Sequence, residues 1–247
     1  MMSNPVVSVL LDKQTTIDTD RVAEHLHAVF PDVLSTASAS IMTVAGIMIA
    51  ILNMPTRLPD GWQIPTRRAE AHWREASAVC DRHCAHLTIS AIGEQADRLK
   101  VAQVITAVVG AVAAIYPSVS AVFWDSSVVN SGAVFAQRSR SAFAAFPNYP
   151  VMLWISFHPF KDADAIGVMT MGLTPFVGRE IEFETRKAEI VPLVNKVQGF
   201  IVYLLQRGKT INDGEMIGIS KDEHITVQHF TSRRFGGLPV FYAYIAE

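Results

Sequence analysis

Residues 38–52 read SASIMTVAGIMIAIL, the centre of a 24-residue run, Val33–Thr56, without one charged side chain. A run of that length is long enough for the ~20 apolar residues that a membrane helix needs. Its composition argues otherwise. Ser, Thr, Asn and Ala are frequent, β-branched residues recur, and Gly46 and Pro55 punctuate it, as expected of strands and turns. The run is therefore read as two strands, Ser38–Val44 and Ile47–Leu52, around Ala45-Gly46. Upstream, Pro31 closes a helix Asp20–Phe30, capped by Asp18 or Thr19. Its apolar positions Val22, Leu26, Val29 and Phe30 share one face. Before it, Pro5–Leu11 reads as the first strand. Downstream, Trp62 lies in a Pro/Gly loop, followed by a helix over Arg67–Arg82 and a strand over His86–Ile92. The succession β-α-β-β-α-β predicts a ferredoxin-like first half of an α+β protein, with helices on one face of a mostly antiparallel sheet.

A second uncharged run, Val101–Trp124, is broken by Pro117, so its helix spans Asp97–Tyr116 and falls short of a membrane span. Ala102, Thr106, Gly110 and Ala114 recur every four residues on it, a ridge of small side chains suited to a close neighbour. Ser120–Trp124 follows as a buried strand, then a polar loop Asp125–Gly132 and a short helix around Ala133–Ala144. Strands are expected over Val151–Phe157, Gly167–Leu173 and Glu180–Glu184. The amphipathic helix Ile190–Arg207 ends at Gly208, a residue suited to a left-handed cap. Asn212-Asp213-Gly214 marks a tight turn between the last strands. With no low-complexity linker, residues 1–247 are expected to form one compact α+β unit. Its sub-halves, about 5–94 and 95–247, would share a sheet or pack face to face.

Composition narrows the function. Of the 247 residues 50% are hydrophobic and 18% charged, with a net charge of −2. Such a chain can bury a sizeable core. Neither half carries a basic excess: nine Lys+Arg stand against eleven Asp+Glu in residues 1–124, and twelve against twelve in 125–247. A phosphate-neutralising surface needs such an excess, so no nucleic acid is expected as partner. Met1–Leu11 lacks the basic start of a secretory leader. The two cysteines, Cys80 and Cys84, offer no disulfide framework and suit a reducing compartment. The expected location is cytoplasmic, with no membrane insertion.

Four segments follow a shared pattern: Gly167-Val-Met-Thr-Met-Gly-Leu-Thr-Pro-Phe, Gly178-Arg-Glu-Ile-Glu-Phe, Gly199 to Gly208, and Ile211-Asn-Asp-Gly-Glu-Met-Ile-Gly218. A Thr-x-Gly-Leu strand, an acidic Glu-Ile-Glu strand, a helix ending in Gly and an Asp-Gly-x-x-Ile-Gly turn follow one another. In order and spacing this resembles the bacterial family known as domain of unknown function 4261, over about residues 167–247. The resemblance implies a bacterial cytoplasmic origin and a fold, but no activity. The shared residues are mostly glycines and strand apolars, folding residues by type.

Chemistry-bearing residues are sparse. His72, Cys80, His83, Cys84 and His86 form the best metal candidate, yet C-x3-C without a second ligand segment is better explained by reduced core cysteines. No metal and no cofactor are expected. His25 and His27 point to different sides of their helix. His158, His224 and His229 are isolated, and Asp125-Ser126-Ser127 reads equally as a turn. Nucleophile-elbow, phosphate-loop, dinucleotide and zinc-protease motifs are absent from the sequence. Glu180, Glu182 and Glu184 alternate with Ile181 and Phe183, which predicts three carboxylates on one strand face. That face is either a solvated surface or an acidic strip for a basic partner. Arg233-Arg234 is a surface feature of opposite sign.

These readings favour a non-enzymatic protein-binding module. Its sharpest form is a cytoplasmic immunity protein neutralising a toxin effector of a bacterial contact-dependent, type VI-like secretion system. Glu180, Glu182 and Glu184 would then be the partner-binding residues, and the partner a cognate toxin. Alternatives are an enzyme with a site assembled from His158, Asp125 and Ser126, or an assembly subunit that oligomerises through sheet edges.

Overall fold

The computed structural model describes residues 4–93, 97–162, 165–186, 189–218 and 224–245. The chain divides into two compact units, Met1–Trp154 and Ile155–Glu247. Each has its own sheet. The division therefore falls after Trp154 rather than near residue 94, and no single sheet runs through the chain.

In the first unit the elements run β1 (Val6–Leu11), α1 (Thr19–Val29), β2 (Ser35–Ser38), β3 (Ile41–Val44), β4 (Ile47–Met54), α2 (Gln63–Ala69), α3 (Ala76–Cys80), β5 (Ala85–Ala91), α4 (Arg98–Ile115), β6 (Val119–Trp124), β7 (Val128–Ser131) and α5 (Gly132–Arg138). The Asp18 carboxylate caps α1 by accepting from the Asp20 and Arg21 amides, and Asp97 caps α4 through the Lys100 amide. The seven strands lie in the order β2-β3-β4-β5-β1-β6-β7, every pair antiparallel.

This is α+β and antiparallel, as expected, but the ferredoxin-like pairing is not formed. That fold sets its first strand between its third and its last. Here β1 lies between β5 and β6, and β4 pairs with β3 and β5. The reason lies in β6. Val119, Ala121, Val122, Phe123 and Trp124 are all buried, and this strand returns from α4 to occupy the second edge of β1. Two smaller differences are local. Residues 38–44 turn at Ala39-Ser40 to give an added strand, with Ala39 at φ 50°. The expected polar loop after Trp124 is a hairpin whose two turn residues, Asp125 and Ser126, both have positive φ (48° and 56°), the geometry of a type I′ turn.

The small-residue ridge of α4 is buried at Ala102, Thr106 and Gly110, while its last member, Ala114, is exposed. A Cβ built on Gly110 would fall 1.9 Å from Ser139 Oγ, so only glycine admits the segment after α5 at that distance. One turn earlier, the Trp154 indole N–H donates to Thr106 Oγ1 at 2.7 Å. By length and composition α4 could cross a membrane, and 61% of it is buried inside the protein. On the opposite side of the sheet, α2 and α3 enclose a cluster containing Leu10, Trp62, Cys80, Ala121 and Phe123.

The second unit contains β8 (Ser156–Asp162), β9 (Ala165–Met171), α6 (Thr174–Val177), β10 (Glu180–Thr185), α7 (Ile190–Arg207), β11 (Met216–Gly218), β12 (His224–Thr231) and β13 (Pro239–Ile245). Its six strands are ordered β11-β12-β13-β10-β9-β8. All pairs are antiparallel except β10 with β13, which is parallel. In register, Ile181 opposes Phe241, and Phe183 opposes both Ala243 and Val168. All five are buried. Leu193, Val197, Ile201 and Leu204 of α7 are buried too, and α7 packs on this sheet at β9. Gly208 closes α7 at φ 60°, as its position predicts.

Candidate functional site

The acidic strand β10 is the centre of the second unit, and its three carboxylates have three different environments. Glu180 is buried. Its carboxylate accepts five hydrogen bonds: from Thr170 Oγ1 (2.7 Å), the amides of Gly172 (3.0 Å), Leu173 (3.1 Å) and Thr174 (2.9 Å), and Thr174 Oγ1 (2.8 Å). The Ile181 amide in turn donates to Thr170 Oγ1 at 2.8 Å. The turn between β9 and α6 thus closes around one side chain. Gly172 at φ 105° gives the turn a conformation other residues rarely adopt.

Glu182 is also buried, with 3% of its surface exposed. Arg234 donates to it at 2.5 Å and to Glu184 at 3.2 Å, and also pairs with Asp162. The guanidinium lies over the Phe160 ring, 4.5 Å from its centroid. Phe160 in turn occupies the space a side chain on Gly167 would need, since a Cβ there would meet the ring at 2.1 Å. Hydrogen bonding to Asp162, then to Glu182, holds the Arg234 proton more tightly than usual. Burial, then the charges of Glu184 and Glu182, raise the Tyr242 hydroxyl above its ordinary pKa. Among the described residues, Glu182 Oε2 is a buried carboxylate oxygen without a hydrogen-bond partner. The alternation was therefore legible, but the exposed strip was not realised. Two of the three glutamates are interior, and the third shares Arg234. Burying a charge requires such partners.

The sequence match falls on this same region. Residues 169–235 match the family described as domain of unknown function (DUF4261). No curated protein and no solved structure matches the chain. The DUF4261 segment holds every Glu180 partner and both Arg234 and Glu182. The Thr170-Met-Gly-Leu-Thr174 run and Glu180 are thus parts of one hydrogen-bonded device, which explains their joint appearance in the motif without any catalytic role.

The remaining candidates are dispersed. Asp125 and Ser126 form the β6–β7 turn in the first unit, whereas His158 is on β8 in the second. His158 Nε2 lies 2.9 Å from Ser156 Oγ, its neighbour on the same strand face. Of the suggested metal set, Cys80 is buried and Cys84 exposed. Burial raises the Cys80 thiol to about 11, against a smaller effect of its hydrogen bond with Thr66. His83 accepts from the Leu58 amide at Nε2 (2.9 Å), and so donates from Nδ1 to the Cys80 carbonyl (2.5 Å). Burial lowers its pKa. The ring also packs edge-on against Trp62, with centroids 5.4 Å apart. Among the described residues no group of three or more His, Cys, Asp or Glu is placed to hold a metal ion.

The surface feature that sequence reasoning missed lies in the first unit. Directly opposed residues of an antiparallel pair share a face. By register, the sheet face that α2 and α3 cover at Leu10, Ala121 and Phe123 also carries, beyond them, Val6 and Ser8 of β1, Ile41 and Thr43 of β3, Met48, Ala50, Leu52 and Met54 of β4, and Thr88 and Ser90 of β5. None of these is charged. Val6, Ile41, Met48, Leu52 and Met54 are each 41–49% exposed. The signal was present in SASIMTVAGIMIAIL as apolar residues at both parities, which a sheet with one wet face does not require.

Proposed function

We propose that this chain is a non-enzymatic binding module that acts by covering a partner protein, through the part of the seven-stranded sheet's face that α2 and α3 leave open. The supporting observation is that face. Five large apolar side chains stand among Ser, Thr and Ala with no charge between them. Contiguous exposed apolar surface of this kind commonly marks a protein contact. The polar constellations of the chain point the same way. The Glu180 carboxylate is consumed by its turn, His83 by two backbone groups, and Arg234 by three carboxylates.

In its sharpest form, the module is an immunity protein of the bacterial cytoplasm, neutralising a toxin effector of a type VI-like secretion system. Because Glu180 and Glu182 are buried, the interface proposed is the sheet face of the first unit rather than β10. The test is co-expression with a toxin candidate encoded beside this gene. Protection should be stoichiometric and should survive Ser156→Ala and His158→Ala. The Ser156–His158 contact is the one observation that favours an enzyme. Loss of protection in either variant, with the fold intact, would transfer the argument to that pair.

A further inference from the structure

The end of the six-stranded sheet carries an open groove of about 460 Å³, lined by Arg179, His229, Phe230, Thr231 and Arg233. The volume lies within the range of small-molecule sites, about 300–1,000 Å³. Its lining contains two guanidinium groups, an imidazole and no carboxylate. Arg179 is steadied over β12 by donating to the Phe230 carbonyl at 3.5 Å. Among the described residues neither Arg179 nor Arg233 has an acidic partner, unlike Arg234 beside them and Arg207 on α7. Glu180 is enclosed by its own turn, and Asp213 accepts from the His229 backbone amide at 2.7 Å. His229 Nε2 donates to the Ile211 carbonyl at 2.8 Å, so the ring is fixed in orientation. Phe230 is half exposed and makes a ring contact with Tyr242, centroids 6.1 Å apart, on the sheet face opposite the His229 ring, and it is the apolar member of the groove's lining.

We infer that this groove binds a small phosphate-bearing molecule, its oxyanion held by Arg179 and Arg233 and its body lying against Phe230. Planar guanidinium groups match phosphate oxygens in paired hydrogen bonds, and such charge-assisted bonds are the strong ones. The groove lies in the second unit, whereas the face proposed above for a partner belongs to the first.

Titration calorimetry on the full chain tests it, with inorganic pyrophosphate and with ATP as probes in separate arms. Saturable binding of at least one probe is expected. Arg179→Ala and Arg233→Ala should each weaken it about tenfold or more, the loss expected when a charge-assisted hydrogen bond is removed. ATP binding more tightly than pyrophosphate, with the difference abolished by Phe230→Ala, would identify a nucleotide. Equal binding would identify the phosphate alone. No saturable binding of either probe, or binding unchanged in the Arg179→Ala/Arg233→Ala double variant, would overturn the inference. Exchange protection of β12 and β13 in each variant shows that the unit is still folded.

Discussion

Replacing Glu180 by Ala should unfold the second unit preferentially, and the size of the effect follows from its five donors. Thr174 is exposed, so its amide and hydroxyl can turn to water. The Gly172 and Leu173 amides and the Thr170 hydroxyl are buried and lose their acceptor. A buried donor left unsatisfied costs about 1–3 kcal/mol. Three of them, with some relief from local relaxation, predict a loss of about 3–5 kcal/mol. In a unit of this size each kcal/mol is about 4–8 °C of melting temperature. All four tryptophans, Trp62, Trp73, Trp124 and Trp154, lie in the first unit, so their fluorescence does not follow this loss. Native-state hydrogen exchange does, read on β9 and β10 peptides against β1 and β5 peptides as internal reference. Glu180→Gln keeps one acceptor oxygen but aims an NH₂ group at donors, so its loss should be intermediate. A change below about 1 kcal/mol in the alanine variant would refute the reasoning, because the turn would then be held by something other than the carboxylate.

Three further outcomes follow from the first unit. Gly110→Leu should lower its melting temperature, since even a Cβ meets Ser139 Oγ at 1.9 Å, and overpacking costs about 1–3 kcal/mol. An unchanged tryptophan-fluorescence midpoint would contradict this. A thiol reagent at neutral pH should label Cys84 rapidly and Cys80 only after denaturation, because Cys80 is buried with its pKa raised to about 11. Rapid native labelling of both would contradict it. His83 has a lowered folded pKa, so the unfolded chain binds its proton first. The contribution of His83 is therefore full above about pH 6.5 and is lost as pH falls from there towards the folded value. Comparing denaturation midpoints at pH 7.5 and 5.5 for the wild type and His83→Gln should show a smaller acid loss in the variant, and equal losses would contradict the assignment.

What could be read from the chain, and what could not, divides by the range of the interaction. Helices α1, α4 and α7 were legible because caps, periodicity and Gly208 are local signals. The helix expected over Arg67–Arg82 is instead two short ones, α2 and α3. No proline or glycine lies in that stretch to mark the break. The pairing of β1 with β6 was illegible, because any apolar strand of the right length competes for the same edge. Similarly, alternation placed Glu180, Glu182 and Glu184 together but said nothing of depth. Depth is set by Arg234, some 50 positions downstream, and by a turn whose amides point inward. The open sheet face was illegible for the opposite reason. Its residues are apolar, and apolar residues are assigned to a core until register shows which face they occupy.

The central claim is that the chain binds a protein through that face. Met48→Lys/Leu52→Lys places two charges at its centre, at positions 47% and 49% exposed, where they need not disturb the buried parity Ile47, Ile49 and Ile51. The deciding measurement is the dissociation constant for the proposed partner, a toxin candidate encoded beside this gene, wild type against this double variant. The account predicts a weakening of at least about a hundredfold, from two apolar contacts replaced by buried charges, with the tryptophan-fluorescence melt unchanged. An undiminished affinity in a folded double variant would contradict it.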